Sequence, residues 1–298
     1  MVRPLARADH ALGVAHMSVR LLRKPTPGTA FVLGGGGNLG AIQVGMLQGL
    51  LEAGVTPDVV IGCSVGALNA AGLAADPTAA GVEMVRDIWL NLDGDELWPA
   101  GRITGLWMLG RRGQAIQPNT GLRQLIERTL PYARLEDATI PVHVNATSLH
   151  SGRSHWFTEG PAVEAILASA ALPAVFPPVV VAGEAYIDGG VVDNVPISRA
   201  LALGAKRVYV LHVGNFSRAR QLPKRPIDVL LQSFSIARNH RFLVETDAPP
   251  PDVELVVLPG VDPGRIRRND FSRSRQLMDG AYAATREFLA RGVAARQA

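Results

Sequence analysis

Thr29–Gly40 reads TAFVLGGGGNLG: an apolar run, four consecutive glycines, and then the opening of what the next residues make a helix. Glycine weakens strands and helices through its chain entropy, so four together belong where the backbone takes unusual dihedrals or something approaches it closely. At the mouth of a helix, where unpaired N–H groups point outward, that something is an anion. Two kinds fit: a phosphate held permanently, or an oxyanion that exists only during a reaction.

Working outward, LGAIQVGMLQGLLEAG places apolar residues at helical spacing and stops at Gly54. Thr56-Pro57-Asp58 turns the chain into a second strand, VVIG, and SVGALNAAGLAA supplies a second helix rich in small residues. The first 75 residues therefore predict a strand, helix, strand, helix unit with a parallel crossover. In such a unit the glycine loop and the tip of the second strand share one edge of the sheet, where ligands bind.

Composition agrees with that unit. The chain has 298 residues, 47% hydrophobic and 19% charged, with 31 glycines and only 5% aromatics, a balance expected of helices packed on a sheet. The class read from it is α/β, helices packed on a mostly parallel sheet. Residues 29–214 read as the core, with a helical cap near 82–130, and residues 215–298 as the completion of the same domain. The cap's aromatic residues Trp89, Trp98 and Trp107, with Met108, serve the core or face a greasy substrate. Further strands are read in IPVHVNATSLH, EAYID, RVYVLHVG and VELVVLPG. Helices are read in AVEAILASAALPAVF (ending at Pro173), PISRALALG, PIDVLLQSFSIARNHRFLVE and MDGAYAATREFLARG. Residues 1–28 read as a poorly ordered extension, or alternatively as an interfacial basic helix; their apolar patch is too short for a secretory signal.

The formal net charge of +4 is modest and its arginines are scattered among acidic residues, so no nucleic-acid partner is expected. RIRRNDFSRSR, Arg265–Arg275, reads as a solvated surface, with peripheral contact to an anionic membrane as the alternative. The single cysteine, Cys63, excludes an internal disulfide framework, and no cluster has metal-ligand spacing, so neither metal nor cofactor is expected. No stretch approaches 18 uninterrupted apolar residues. The expected location is the cytoplasm, with peripheral membrane contact as its variant.

Gly35, Gly37 and Gly40 satisfy the G-x-G-x-x-G spacing of a dinucleotide site. Such a site also wants an acidic residue at the tip of the second strand, for the ribose. Asp58 stands at the wrong end of that strand and no acidic residue follows until Asp76. At the tip stands Gly62-Cys63-Ser64-Val65-Gly66, the G-x-S-x-G of a nucleophile elbow, with a strand before it and a helix after it. Ser64 would then project its hydroxyl at a helix start, and the N–H groups of the neighbouring glycine loop could receive an oxyanion.

A nucleophilic serine needs a base. His212 lies inside a strand and His240 in a charged helix, neither on a turn-forming segment. Asp188, at the end of EAYID and followed by Gly189 and Gly190, is the better candidate, provided that burial raises its pKa. Asp193 competes, but Asn194-Val195-Pro196 after it suggests that it starts or caps the next helix.

The three motifs in this order resemble the patatin-like phospholipases, whose pattern is G-G-G-x-[R/K]-G, G-x-S-x-G and D-G-[G/A]. The resemblance runs from about Ala30 to Val213 and includes ALPAVFPPV before the aspartate. It implies Ser64 as nucleophile, Asp188 as proton acceptor, and Gly35, Gly36 and Gly37 as oxyanion donors, with Gly40, Gly62, Gly66, Gly189 and Gly190 shaping the motifs. It also implies an α/β fold built as a three-layer α/β/α sandwich with a central, mainly parallel sheet, residues 29–214 as its catalytic core, and a fatty acyl ester or phospholipid substrate. One departure stands out: Leu39 occupies the position of the family's Arg or Lys, which makes phospholipid recognition less secure than acyl-ester hydrolysis. A catalytically silent lipid-binding protein that keeps the elbow as scaffold is the alternative reading. Oligomeric state is not legible.

Overall fold

The structure, a computed structural model, describes residues 26–97, 115–214, 222–223, 226–264, 266–267 and 269–297. Residues 1–25 of the expected N-terminal extension, Trp98, Trp107 and Met108 lie outside the described residues.

Strand β1 (Thr29–Leu33) leads through the glycine loop into a short 3-10 turn and helix α1 (Ala41–Glu52). Strand β2 (Val59–Cys63) leads into helix α2 (Val65–Ala75). Every residue of β2 is buried, the continuous apolar run of a strand covered on both faces. Gly54 ends the first helix at φ +77, a left-handed conformation that favours glycine. Strands β3 (Val142–Ser148), β7 (Arg207–Leu211) and β8 (Glu254–Val257) extend the sheet. β3 pairs parallel with β2, β7 with β1, and β8 with β7. Leu33 is in register with both Gly62 and Leu211, so the segments leaving β1, β2 and β7 emerge along one edge.

Helices cover both faces. Phe31, Leu33, Val60, Val144 and Leu211 join the core formed with α1, α2, α3 (Ala79–Leu90), α6 (Ala162–Ser169) and α9 (Ser274–Gln297). Ala30, Val32, Ile61, Val208 and Val210 face α7 (Ile197–Ala202) and Phe242 of α8 (Pro226–Asp247) on the other side. This is the three-layer arrangement expected from sequence. α9 lies directly on α1: a side chain at Gly45 would collide with the backbone of Met278, so the two helices meet there without side chains between them. The remaining described helices are α4 (Gly94–Leu97) and α5 (Thr120–Thr129).

Two differences from the sequence reading have physical causes. Two short strands were not foreseen, β4 (Ser154–Phe157) and β5 (Val179–Val181), both antiparallel. β5 returns into β6 (Glu184–Asp188) through Ala182-Gly183, both at positive φ, the two-residue hairpin that Asn-Gly or Asp-Gly usually announces and Ala-Gly does not. α6 ends at Ser169 rather than Pro173, because the residue before a proline avoids the helical region and the chain unwinds ahead of it. Trp89, read as either core or substrate-facing, is a core residue, 2% exposed, whose indole N–H donates to Asn69 Oδ1 at 2.8 Å, and it also lines a cavity.

Candidate active site

β3 explains how two distant motifs meet. Val144 and Asn145 pair with β2 on one flank and β4 on the other, whereas Ala146 and Thr147 pair with β6 and β4. β2 and β6 must therefore lie on the same flank of β3, one parallel to it and the other antiparallel. Their carboxyl ends run toward each other. Cys63 pairs with Asn145 and Asp188 with the next residue, Ala146, which leaves Ser64 and Asp188 at the junction.

Ser64 sits at φ 54 and ψ −125, a strained conformation for a residue with a side chain. The turn is held by packing: a side chain at Gly62 would strike the Gly66 carbonyl and Ala67, and one at Gly66 would strike the Leu33 carbonyl. The Ser64 N–H donates to Ser169 Oγ at 2.8 Å, a contact made where α6 ends and not visible in sequence. The Ser64 side chain lies beside the Asp188 carboxylate, near enough to favour its ionised form.

Asp188 is 2% exposed. Its Oδ1 accepts the Gly190 N–H at 2.7 Å, its own N–H donates to Ala171 O, and its C=O accepts from Thr147 Oγ1 at 3.1 Å. Burial pushes the carboxyl above its ordinary pKa, opposed by the Ser64 side chain, the Gly190 hydrogen bond and the Arg238 charge. The Gly189 turn is fastened from β3, where Asn145 Nδ2 donates to the carbonyls of Gly189 at 3.3 Å and Asp193 at 2.6 Å. Cys63 is buried beside Asp188, Sγ to Oδ1 4.0 Å, and burial pushes its thiol well up, which keeps it protonated and inert.

The glycine loop needs one correction. Gly35 N–H donates to Asn194 O at 3.0 Å, so this donor is occupied by the fold. Gly36 and Gly37 line the cavity beside Ser64, and among the described residues no hydrogen bond takes their N–H groups. Gly37 has φ +62, and a side chain at Gly40 would meet Val65 and Trp89. Beneath the loop, Gln43 Nε2 donates to Gly34 O at 2.7 Å and Leu211 O at 3.0 Å, while Asn69 Nδ2 donates to Gly40 O at 3.0 Å and Gln43 Oε1 at 2.8 Å. Sequence reasoning passed over Gln43 and Asn69; a polar residue inside an apolar helix was the available signal.

A second correction concerns Asp193. It does not cap α7, whose N-cap is Pro196 with no side-chain bond. Its carboxylate, 1% exposed, accepts from Ser198 Oγ at 2.8 Å and Arg241 Nη2 at 3.1 Å. His212 is buried against Phe242, and that burial lowers its pKa to about 4; His240 is exposed on α8. Neither lines the cavity.

That cavity, of about 380 Å³, opens over Ser64 and Asp188. Its walls are largely apolar, with Leu68, Trp89, Leu97, Leu125, Ile166 and Phe176 among them, and described parts of the expected cap region contribute. Among the described residues, Asp188 and Arg238 are the only charged ones of the lining. The size and the few convergent polar groups suit a small amphiphile. Among the described residues no helix is long and apolar enough to cross a membrane.

Comparison with known proteins agrees with the motif order. A family model described as patatin-like phospholipase matches residues 31–201, more than half of the chain. A Mycosarcoma maydis protein named lysophospholipase NTE1 is 32% identical over 213 residues, 70% of this chain and 11% of that protein. Lysophospholipase nte1 of Aspergillus terreus is 29% identical over 188 residues, 62% of this chain. The chain thus spans only 11–12% of the length of these relatives. Among solved structures, VipD from Legionella pneumophila aligns over 86% of this chain and 67% of its own, with TM-score 0.41 and 15% identity. The type III effector ExoU aligns over 90% of this chain and 53% of its own, with TM-score 0.35 and 18% identity.

Proposed function

Because the chain belongs to the patatin-like phospholipase family, we propose that it is a lipid acyl hydrolase working through Ser64 and Asp188. The observation that carries this reading is the juxtaposition of the Ser64 side chain with a buried carboxylate at the floor of a largely apolar cavity. Ser64 Oγ attacks the ester carbonyl carbon while Asp188 takes its proton. The carbonyl oxygen becomes an oxyanion that accepts from the Gly36 and Gly37 N–H groups, each donor contributing about 3–4 kcal/mol where such holes have been dissected. The intermediate collapses, Asp188 returns the proton to the departing alcohol, and an acyl-serine remains. Water then attacks the acyl carbon with Asp188 as base, releasing the fatty acid and restoring the serine. The raised carboxyl pKa supports the aspartate in this role, since an ordinary carboxylate is too weak a base.

The names of the relatives support a lysophospholipid or phospholipid as substrate, with soluble monoacyl esters as the simplest probes. The test is labelling by a fluorophosphonate probe, with the modified peptide located by mass spectrometry, alongside hydrolysis of a p-nitrophenyl acyl ester. Wild type is expected to label at Ser64, and both labelling and turnover are expected to vanish in Ser64→Ala. A folded wild type that takes no label and turns over no acyl ester would instead favour a silent lipid-binding protein.

A further inference from the structure

The glycine loop carries Leu39 where the family pattern has a cation, and Leu39 itself lines the apolar cavity. A cation reaches the cavity from elsewhere in the chain. Arg238, on α8, lines the same cavity as Ser64 and acts electrostatically on Asp188. Its guanidinium lies 5.0 Å from the centroid of the Phe234 ring, and Nη1 donates to Asn194 Oδ1 at 3.2 Å. Asn194 in turn donates through Nδ2 to Gly35 O at 3.2 Å, so the arginine is braced against the loop that flanks the serine. Its Nε is buried and, among the described residues, has no hydrogen-bond partner.

A guanidinium whose one printed acceptor is a neutral amide, in a cavity whose other described lining residues are apolar or neutral apart from Asp188, is an arrangement that suits an anion from outside. The ester carbonyl is neutral and the acyl chain apolar, so neither accounts for a fixed cation. A phosphate does: its oxygens accept from guanidinium N–H groups, a geometry that arginine suits better than lysine. We propose that Arg238 is the specificity-determining residue of this site, the group by which it favours a phosphate-bearing acyl ester over a neutral one. This deepens the hydrolase reading and rests on it. It also accounts for Leu39: the cation missing from the loop is supplied from α8, on the opposite side of the sheet from α1.

The experiment compares two esters with the same acyl chain, lysophosphatidylcholine and 1-monoacylglycerol, both below their micellar concentration. They are hydrolysed by wild type, Arg238→Gln and Arg238→Lys, with thermal melts to check folding. In Arg238→Gln the ratio of kcat/KM for the phosphate-bearing ester over the neutral one is expected to fall by about tenfold to a hundredfold, the value of a lost charge-assisted hydrogen bond. The change should appear chiefly in KM, and Arg238→Lys should recover part of it. An unchanged ratio, with both esters losing equally, overturns the assignment and makes Arg238 a brace for Asn194 and Asp188 only, while the hydrolase reading stands.

Binding of the same two amphiphiles to Ser64→Ala, followed by calorimetry, separates the two claims. Preference for lysophosphatidylcholine that disappears in Ser64→Ala/Arg238→Gln supports the assignment even if wild type hydrolyses neither ester, in which case the hydrolase reading fails alone. If Arg238→Gln does not fold, sn-glycerol 3-phosphate is tested as a competitor of p-nitrophenyl ester hydrolysis by wild type. Competition by it and not by glycerol supports the assignment, and equal behaviour of the two removes it.

Discussion

Asp188 and Asp193 stand five residues apart in one turn-rich segment, both buried, both pushed above the ordinary carboxyl pKa by that burial. Their surroundings then diverge. Asp193 is closed off by an ion pair with Arg241 and a hydrogen bond from Ser198, contacts that tie α7 to α8. Asp188 has no ion pair within bonding distance among the described residues; it accepts a backbone N–H and faces the Ser64 hydroxyl, with Arg238 acting only at longer range. Equal residue type and equal burial thus yield one carboxylate with its charge consumed by structure and one free to exchange a proton. A buried charge becomes a candidate base when its neighbours leave it a mobile proton partner.

The largest effect that would break this comparison is on turnover. Asp188→Asn keeps an acceptor for the Gly190 N–H but cannot take a proton, and is expected to lower kcat/KM on an acyl ester by about 10²–10⁴-fold. Asp193→Asn is expected to stay within a few-fold of wild type. Equal losses in the two variants, measured on folded protein, would mean that the two aspartates had been assigned the wrong roles.

Next in size is a stability effect with the opposite distribution. Arg241→Ala strands the Asp193 carboxylate and removes the partner of Glu245, whose pKa burial and Asp193 already raise. Breaking a buried pair from one side costs about 3–5 kcal/mol, and the partial exposure of Arg241 brings the expectation down to about 2–3 kcal/mol at pH 7. Both carboxyls have raised folded-state pKa values, so the loss should shrink as pH falls and they protonate. Urea melts at pH 7 and pH 4.5 check this; a loss that is the same at both pH values would show that the guanidinium serves by packing alone.

How far this contrast could be read in advance differs between the two halves of the site. The Ser64 turn was legible because its determinants are local: β2, the two small residues that permit the turn, and α2 follow one another within seventeen residues, Val59–Ala75. Asp188 was legible as a strand end before two glycines. Its separation from Asp193 was not, because Ser198, Arg241 and Asn145 come from three other elements and carry no motif. The occupied N–H of Gly35 and the Ser169 contact were equally hidden, being consequences of where the segment before α7 and the end of α6 come to rest. Arg238 lay in a helix that was foreseen, but nothing in the sequence says which of its two arginines, Arg238 or Arg241, lines a cavity.

The smallest expected effect is also the one that separates function from stability at Asp188. Its folded-state pKa lies above its unfolded value, so its contribution to stability is fully present below the unfolded pKa, about 3.9, and is lost as pH rises through the folded value. At neutral pH the ionised carboxylate therefore burdens the fold, and Asp188→Asn should melt at a higher temperature than wild type, within the about 0.5–2 kcal/mol typical of stabilising substitutions. The advantage should vanish near pH 3.5, where the wild-type carboxyl is protonated in both states. The acid limb of kcat/KM for wild type should lie above the ordinary carboxylate range for the same reason, since the base must be ionised to accept the Ser64 proton. Melts of both proteins from pH 3.5 to 8, set beside that rate profile, test a single cause twice. If Asp188→Asn were less stable at neutral pH, the Ser64 side chain and the Gly190 hydrogen bond would outweigh desolvation, the folded pKa would be depressed, and the rate limb would have to move below pH 4 with it.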